Sequence, residues 1–339
     1  MGTCVVCSNE LPDNISYPDE IQINIKERDR LGKVFRSEKV RFKLNFPILL
    51  ETHKYSLPML NLNVSSSVLN SIDPRALISK ECQDSLLTVF KDSVFLACVF
   101  DGHGTDGLKI VENVKSLIKS YFLSNTQAFL ATPQETIRFL ITECDKKIRQ
   151  STSDIDSSLS GCTAVLLIIT DVIHIGSVGD SKAVLAMNGA PDPNYVQSKR
   201  HVDPGKSLFP LKLAIEQRPN IREELERIKK AGGKVQQLTN EQGVKIGPYR
   251  VWKKIGTLPG LAMSRSIGDS IGKEIGVISS PIINSFMLDK NNDLFIVLAT
   301  DGIWDVMNSN EVINFVEKFR KLCNKGKETN GFPVKVLFT

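Results

Sequence analysis

From residue 80 onward, apolar and polar positions fall into short runs whose period changes several times. Residues 86–90 and 94–100 are β-rich runs split by Lys91-Asp92-Ser93, which predicts a hairpin. Leu108, Val111, Val114, Leu117, Ile118 and Tyr121 then repeat at helical spacing. A second helix is predicted to start at Thr132 as cap, with Pro133 in the first turn and Glu135 completing a capping box. Its apolar face holds Ile137, Leu140, Ile141 and Cys144. Apolar runs at 163–169, 172–177 and 182–187 lie two to four residues apart, the pattern of an antiparallel meander. Residues 222–231 predict a third helix closed by Gly232-Gly233, and 294–299 a buried strand. A last helix follows, with Asn308 and Glu311 as its capping box. The order is strands, two helices, strands, helix, strand, helix. It does not alternate as βαβα, so the expected class is α+β, with antiparallel sheets and helices packed outside.

The first 70 residues read differently. Residues 21–40 are rich in charge, and Ser65-Ser66-Ser67 reads as a surface loop. Residues 1–70 are therefore expected to form an N-terminal extension, part of it packed as added strands, ahead of a main domain at 71–339. No internal repeat is visible.

Composition narrows the function classes. Hydrophobic residues make up 41% and charged residues 24% of the 339 positions, a globular balance that excludes a collagen-like or globally disordered chain. No apolar run approaches 18 residues, so no membrane-spanning helix is expected. A dispersed net charge of +5 gives no footprint for nucleic acid. The seven cysteines are odd in number and there is no secretory signal, so reduced thiols in a cytoplasmic, monomeric protein are expected. Cys4 and Cys7 are spaced C-x-x-C, but no second pair follows at zinc spacing.

The densest chemistry is Asp101-Gly102-His103-Gly104-Thr105-Asp106-Gly107, leaving an apolar strand for a helix. Its glycines match a dinucleotide fingerprint, but no acidic residue lies between Glu112 and Glu135 and the next element is another helix, so the βαβ context is missing. The better reading begins with Asp101, an acid ending a buried strand, which must find a cation or donors. The arrangement recurs at Asp301-Gly302 and more loosely at Gly179-Asp180, and Asp84 stands just before the first strand. Any one Asp-Gly pair reads as a turn. Together, with His103 beside Asp101 and only oxygen donors, the set suits a hard cation, Mg²⁺ or Mn²⁺.

Asp101-Gly102-His103-Gly104, Ser160-Gly161-Cys162-Thr163-Ala164, Gly179-Asp180-Ser181, Ser264 through Asp269 and Asp301-Gly302-Ile303-Trp304-Asp305-Val306 occur in that order. In this the chain resembles the metal-dependent serine/threonine protein phosphatases of type 2C, over about residues 75–320. The resemblance implies a β-sandwich of two antiparallel sheets flanked by α-helices, with two metal ions at one end, acting on phosphoprotein substrates. By position, Asp101 would bridge both ions, the Gly102 carbonyl would bind one, and Asp301 would hold the other. Asp84 would support the water; the residue before it, often Glu in the family, is Gln83. His103 would be the general acid. Glu216 and Asp305 fall where some members hold a weaker third ion, and the usual residue at the first of these is Asp. Asp180, Asp269, Ser264 and Arg265 would be structural or supporting.

Two departures stand out. The family places an Asp-Asn pair and further strands about 40 residues after the Asp301 motif, whereas this sequence stops at Thr339 with no such pair. A truncated C-terminal part would weaken the ion at Asp301 and leave a sheet edge open. A catalytically impaired relative that binds or regulates phosphoproteins is the alternative function. Upstream of Asp84, where many members grip phosphate with an Arg, Ser79 stands and Lys80 is the nearby basic residue, a point charge without the bidentate fork. Finally, Met1-Gly2 offers a glycine for myristoylation and Cys4 a site for palmitoylation, although Val6 stands where Ser or Thr is preferred. Two such chains would attach the protein to a membrane surface.

Overall fold

The computed structural model describes residues 2–4, 20–28, 34–43, 49–57, 60–69, 71–72, 79–80, 82–151, 154–189, 208–289, 291–324 and 335–338. Two seven-stranded sheets face each other. One holds the hairpin Asp84–Lys91 and Val94–His103, then Ala164–Ile169, Val172–Val178 and Ile282–Met287, with the short strands Gly161–Cys162 and Ile267–Gly268 at its other end. The other contains Leu208–Ala214, Lys182–Asn188, Asp293–Ala299, Lys335–Phe338, Leu60–Leu69, Leu49–Leu57 and Gly2–Cys4.

Strict alternation explains why the central strands are apolar from end to end. Phe95, Ala97, Val99, Val165 and Leu167 face inward and meet Ala183, Leu185, Met187, Ile296 and Leu298 of the second sheet. The intervening Leu96, Cys98 and Phe100 face outward, against Ile110, Val114 and Ile118 of helix Gly107–Ser124 and Ile137, Leu140 and Ile141 of helix Pro133–Gln150. On the far side, Val184, Ala186, Phe295 and Val297 pack under Trp304 and under Val312, Ile313 and Val316 of helix Ser309–Asn324. Both faces of the central strands are covered, so a strand such as Ala164–Ile169 is buried at every position. The α+β sandwich expected from the sequence is the fold observed.

Several local expectations are corrected. The three-strand meander does not form: Ala164–Ile169 and Val172–Val178 pair, but Lys182–Asn188 crosses to the second sheet, between Leu208–Ala214 and Asp293–Ala299. Gly179, at φ +100°, makes the turn that sends it there, and that crossing brings Asp180 to the rim of both sheets. Thr132 makes no side-chain cap; the capping box at Asn308 and Glu311 does form, through bonds of 2.8 and 3.1 Å. Ser65-Ser66-Ser67 is not a loop but part of strand Leu60–Leu69, with Val64 and Ser66 buried. Nor is the sheet edge beside Asp293–Ala299 open, since Lys335–Phe338 lies parallel to it and to Leu60–Leu69. A small three-stranded sheet, Gly233–Thr239, Lys245–Lys253 and Pro259–Leu261, was not anticipated. Among the described residues no helix is long and apolar enough to cross a membrane, and Cys82, Cys98, Cys144 and Cys162 are free thiols.

Candidate functional site

The strand ends predicted to carry acids meet at one end of the sandwich. Asp84 and Asp101 are directly opposed across the hairpin. Asp301 begins the short helix Asp301–Trp304 at the end of Asp293–Ala299, and Thr300 just before it donates to Asp84 Oδ2 at 3.0 Å. That bond ties the two sheets together at the site. Asp101 is fixed through its backbone: its N–H donates to Thr163 Oγ1 at 3.2 Å, and Thr163 N–H donates to its carbonyl at 2.9 Å.

These groups repel one another. Burial, and then the charges of Asp84, Asp301 and Asp180, push the Asp101 carboxyl well above the usual carboxylate range. Asp180, 2% exposed, is pushed up to about 6 by burial, against the opposing pull of the Arg218 guanidinium. Asp180 belongs with the three strand-end acids, a placement its position after Val178 signals but its motif alone does not. Among the described residues, no three His, Cys, Asp or Glu side chains stand ready-made around one point for a metal ion. The donor chemistry nevertheless fits one: all the donors are oxygens, Asp84 and Asp180 are buried and Asp101 and Asp301 half-buried, and their like charges are relieved only by added positive charge or protons.

Gly102 admits no side chain, because a Cβ there would lie 2.7 Å from the Gln83 carbonyl oxygen and 2.8 Å from that of Gly107. Gln83 clamps the turn from both sides, its carbonyl accepting from Gly102 N–H at 3.1 Å and its amide donating to the Gly104 carbonyl at 3.0 Å. The Gly102 backbone is thus held tightly beside Asp101.

His103 turns to Asp269, to which the resemblance gives a structural or supporting role. Its Nε2 sits 2.8 and 3.0 Å from the two carboxylate oxygens of Asp269. Its Nδ1 is buried and has no hydrogen-bond partner. Burial opposes a charged ring, but Asp269 outweighs it and raises the His103 pKa. Asp269 is fully buried, stands in the left-handed region at φ 52°, and accepts from Ser266 Oγ at 2.5 Å. Its N–H donates to the Ser160 carbonyl at 3.0 Å. Lys273 donates to the Ser266 carbonyl and lies 3.5 Å from Asp145, whose carboxylate also accepts from Gly268 N–H and Ser279 Oγ. Only the matched motif could have signalled Asp269, which is 166 positions from His103.

The remaining predicted residues lie as follows. Glu216 and Asp305 stand at the rim of the site but are engaged with cations: Arg218 Nη2 is 2.8 Å from Asp305 Oδ1 and 3.7 Å from Glu216 Oε1, and Lys182 Nζ is 3.4 Å from Glu216 Oε1. Lys80 is in the strand Ser79–Lys80, paired with Ser71–Ile72, and its side chain lies outside the described residues. Gly2 and Cys4 pair through their backbone with Leu69 and Ser67; Val6 and Cys7 lie outside the described residues.

A family model described as Protein phosphatase 2C matches residues 72–330. The chain is 35% identical over 253 residues to "Probable protein phosphatase 2C 41" of Arabidopsis thaliana, covering 70% of this chain and 66% of that protein. It is 34% identical over 259 residues to "Probable protein phosphatase 2C 48" of Oryza sativa subsp. japonica, covering 71% and 69%. The chain thus spans about two thirds of the length of these relatives. Among solved structures, the serine-threonine phosphatase 2C from Toxoplasma gondii aligns with a TM-score of 0.60 at 18% identity, over 81% of this chain and 89% of that one, a likeness of fold.

Proposed function

The chain belongs to the protein phosphatase 2C family, and from that membership we propose that it hydrolyses phosphoserine and phosphothreonine on proteins in a Mg²⁺- or Mn²⁺-dependent reaction. The observation that carries this reading is the convergence of Asp84, Asp101, Asp180 and Asp301, with the Asp101 carboxyl pushed well above the usual carboxylate range by burial and by its acidic neighbours. Asp101, the Gly102 carbonyl and Asp301 would hold the ions, with Asp84 beside them. When bound, a pair of such ions supplies charge for the phosphate oxygens and an activated water for in-line attack.

The chain's own contribution is to place these acids and a proton donor. Thr300 fixes Asp84, Thr163 fixes Asp101, and Gln83 holds the Gly102 turn. His103 carries the proton for the departing serine or threonine oxygen, a leaving group too basic to depart as an alkoxide. With Nε2 held by Asp269, Nδ1 is the ring atom left to carry the proton and give it to the departing oxygen. Hydrolysis of a phosphothreonine peptide should appear on adding Mn²⁺ and vanish with EDTA. A purified chain that cleaves the peptide equally well in EDTA would refute the reading.

Asp269 acts through His103 and is a positioning residue. Asp269→Asn should lower turnover of a phosphothreonine peptide by about 10²-fold, the usual worth of a general acid. Turnover of p-nitrophenyl phosphate should fall far less, because that leaving group departs without a proton. An equal loss on both substrates would point to general damage to the site instead.

A further inference from the structure

Glu216 and Asp305, placed by position at a third ion, each lie against a cation of the chain itself. Gln217, between Glu216 and Arg218, is 1% exposed and clamped on all sides. Its N–H donates to the Gly179 carbonyl at 2.8 Å, its Oε1 accepts from Gly179 N–H at 2.6 Å, and its carbonyl accepts from Ser264 N–H at 2.9 Å. This lock fixes the backbone that carries Glu216 and Arg218 past Asp180. The Arg218 guanidinium then reaches three carboxylates: Asp305 at 2.8 Å, Asp180 at 3.6 Å and Glu216 at 3.7 Å. Lys182 adds a second cation at 3.4 Å from Glu216, and its ammonium is itself held 4.6 Å over the Trp304 ring. The Trp304 indole N–H in turn donates to the Ala299 carbonyl at 2.8 Å. Three carboxylates therefore share two built-in cations.

We propose that the Arg218 guanidinium, backed by Lys182, is the resident cation of this position, and that the chain carries a fixed positive charge where its family resemblance implies a weak third metal ion. The inference rests on the metal-dependent reading above and narrows it to two exchangeable ions. An ion with a Kd on the order of 1 mM must compete with a cation attached to the same fold, whose effective concentration is of the order of mM or higher. A guanidinium does not lose its proton and is not removed by a chelator. It also suits the substitution of Glu for the usual Asp at 216, whose longer arm lets the carboxylate meet both Lys182 and Arg218.

The test is direct Mn²⁺ binding to the full chain, by isothermal titration and by the electron paramagnetic resonance signal of free Mn²⁺, with thermal melts to check folding. In the wild-type background, Asp305→Asn should leave the number and affinity of bound ions unchanged. Arg218→Met should gain one weak site, and Arg218→Met/Asp305→Asn should lose it again. Loss of an ion from the Asp305→Asn protein would overturn the proposal, and Asp305 is exposed enough, at 56%, for that variant to fold. So would an Arg218→Met protein that melts normally yet gains no site. Asp101→Asn separates the two readings: if the wild type and this variant both bind no Mn²⁺, the metal-dependent reading fails, while the gain and loss at Arg218 and Asp305 still decide the assignment of the guanidinium.

Discussion

Asp101→Asn is expected to reduce Mn²⁺-dependent hydrolysis of a phosphothreonine peptide by ~10³-fold or more, the upper end of what losing one electrostatic group costs an active site. It should do so without unfolding the protein. Asp101 is held in place by backbone bonds to Thr163, which an Asn keeps. Its carboxyl is crowded by Asp84, Asp301 and Asp180, so in the metal-free protein repulsion from these acids makes its ionised form costly. The amide removes that repulsion. The metal-free variant should therefore melt at the same temperature as the wild type or higher, and the increase in melting temperature that Mn²⁺ gives the wild type should largely vanish. Scanning calorimetry with and without Mn²⁺, run beside the peptide assay, reads both effects. Wild-type activity at limiting Mn²⁺ would remove Asp101 from the site, and a variant that melts far below the metal-free wild type would show that Asp101 is structural.

The sandwich was legible because its strands are apolar on both faces and its helices carry clean stripes. Ala164–Ile169 and the face Ile137, Leu140, Ile141 and Cys144 needed only periodicity. Pairing was less legible. Nothing in the spacing of 172–178 and 182–188 tells a hairpin from a crossover, and Gly179 turns the chain to the other sheet. The sheet around Lys245–Lys253 was missed for a different reason: much of it is exposed, so no buried face imprints the two-residue period. At the site, the four strand-end acids could be read individually, because an acid after an apolar run is costly and noticeable. Their partners could not. Asp269, Arg218 and Lys182 reach the site across long sequence separations, and an Arg or Lys on the surface of a sequence has no pattern that names its carboxylate. Glu216 and Asp305 show the consequence: position alone suggested metal ligands, while the cations that face them became visible only in three dimensions.

The largest expected loss of stability comes from outside the acidic cluster, at Glu224. This side chain is 3% exposed and takes both available guanidinium groups. Arg265 Nη2 is 2.6 Å from Oε1, and Arg227 Nη2 is 2.6 Å from Oε2. Ser264 Oγ approaches the same Oε2 at 2.5 Å. The three residues clip helix Arg222–Lys230 to the Ser264-Arg265 segment, and Ser264 N–H holds the Gln217 carbonyl that fixes Glu216 and Arg218. Glu224→Gln strands two cations at once. Breaking a buried pair from one side costs about 3–5 kcal/mol, or roughly 6–20 °C in melting temperature at ~2–4 °C per kcal/mol. The pH dependence follows from the direction of the shift. Burial alone would raise the Glu224 pKa, but the bonds from Arg265, Arg227 and Ser264 overcome it and bring the value down from 4.5 to about 2. A carboxyl depressed in the folded state stabilises fully above its unfolded pKa and loses that contribution as pH falls toward the folded one. The stability gap between the wild type and Glu224→Gln should therefore be constant from pH 7 down to about 4.5 and should narrow steadily below that, as protonated Glu224 comes to resemble the amide. Urea denaturation at a series of pH values measures the gap. A gap of the predicted size that does not change with pH would mean that Glu224 acts through packing and not through its charge.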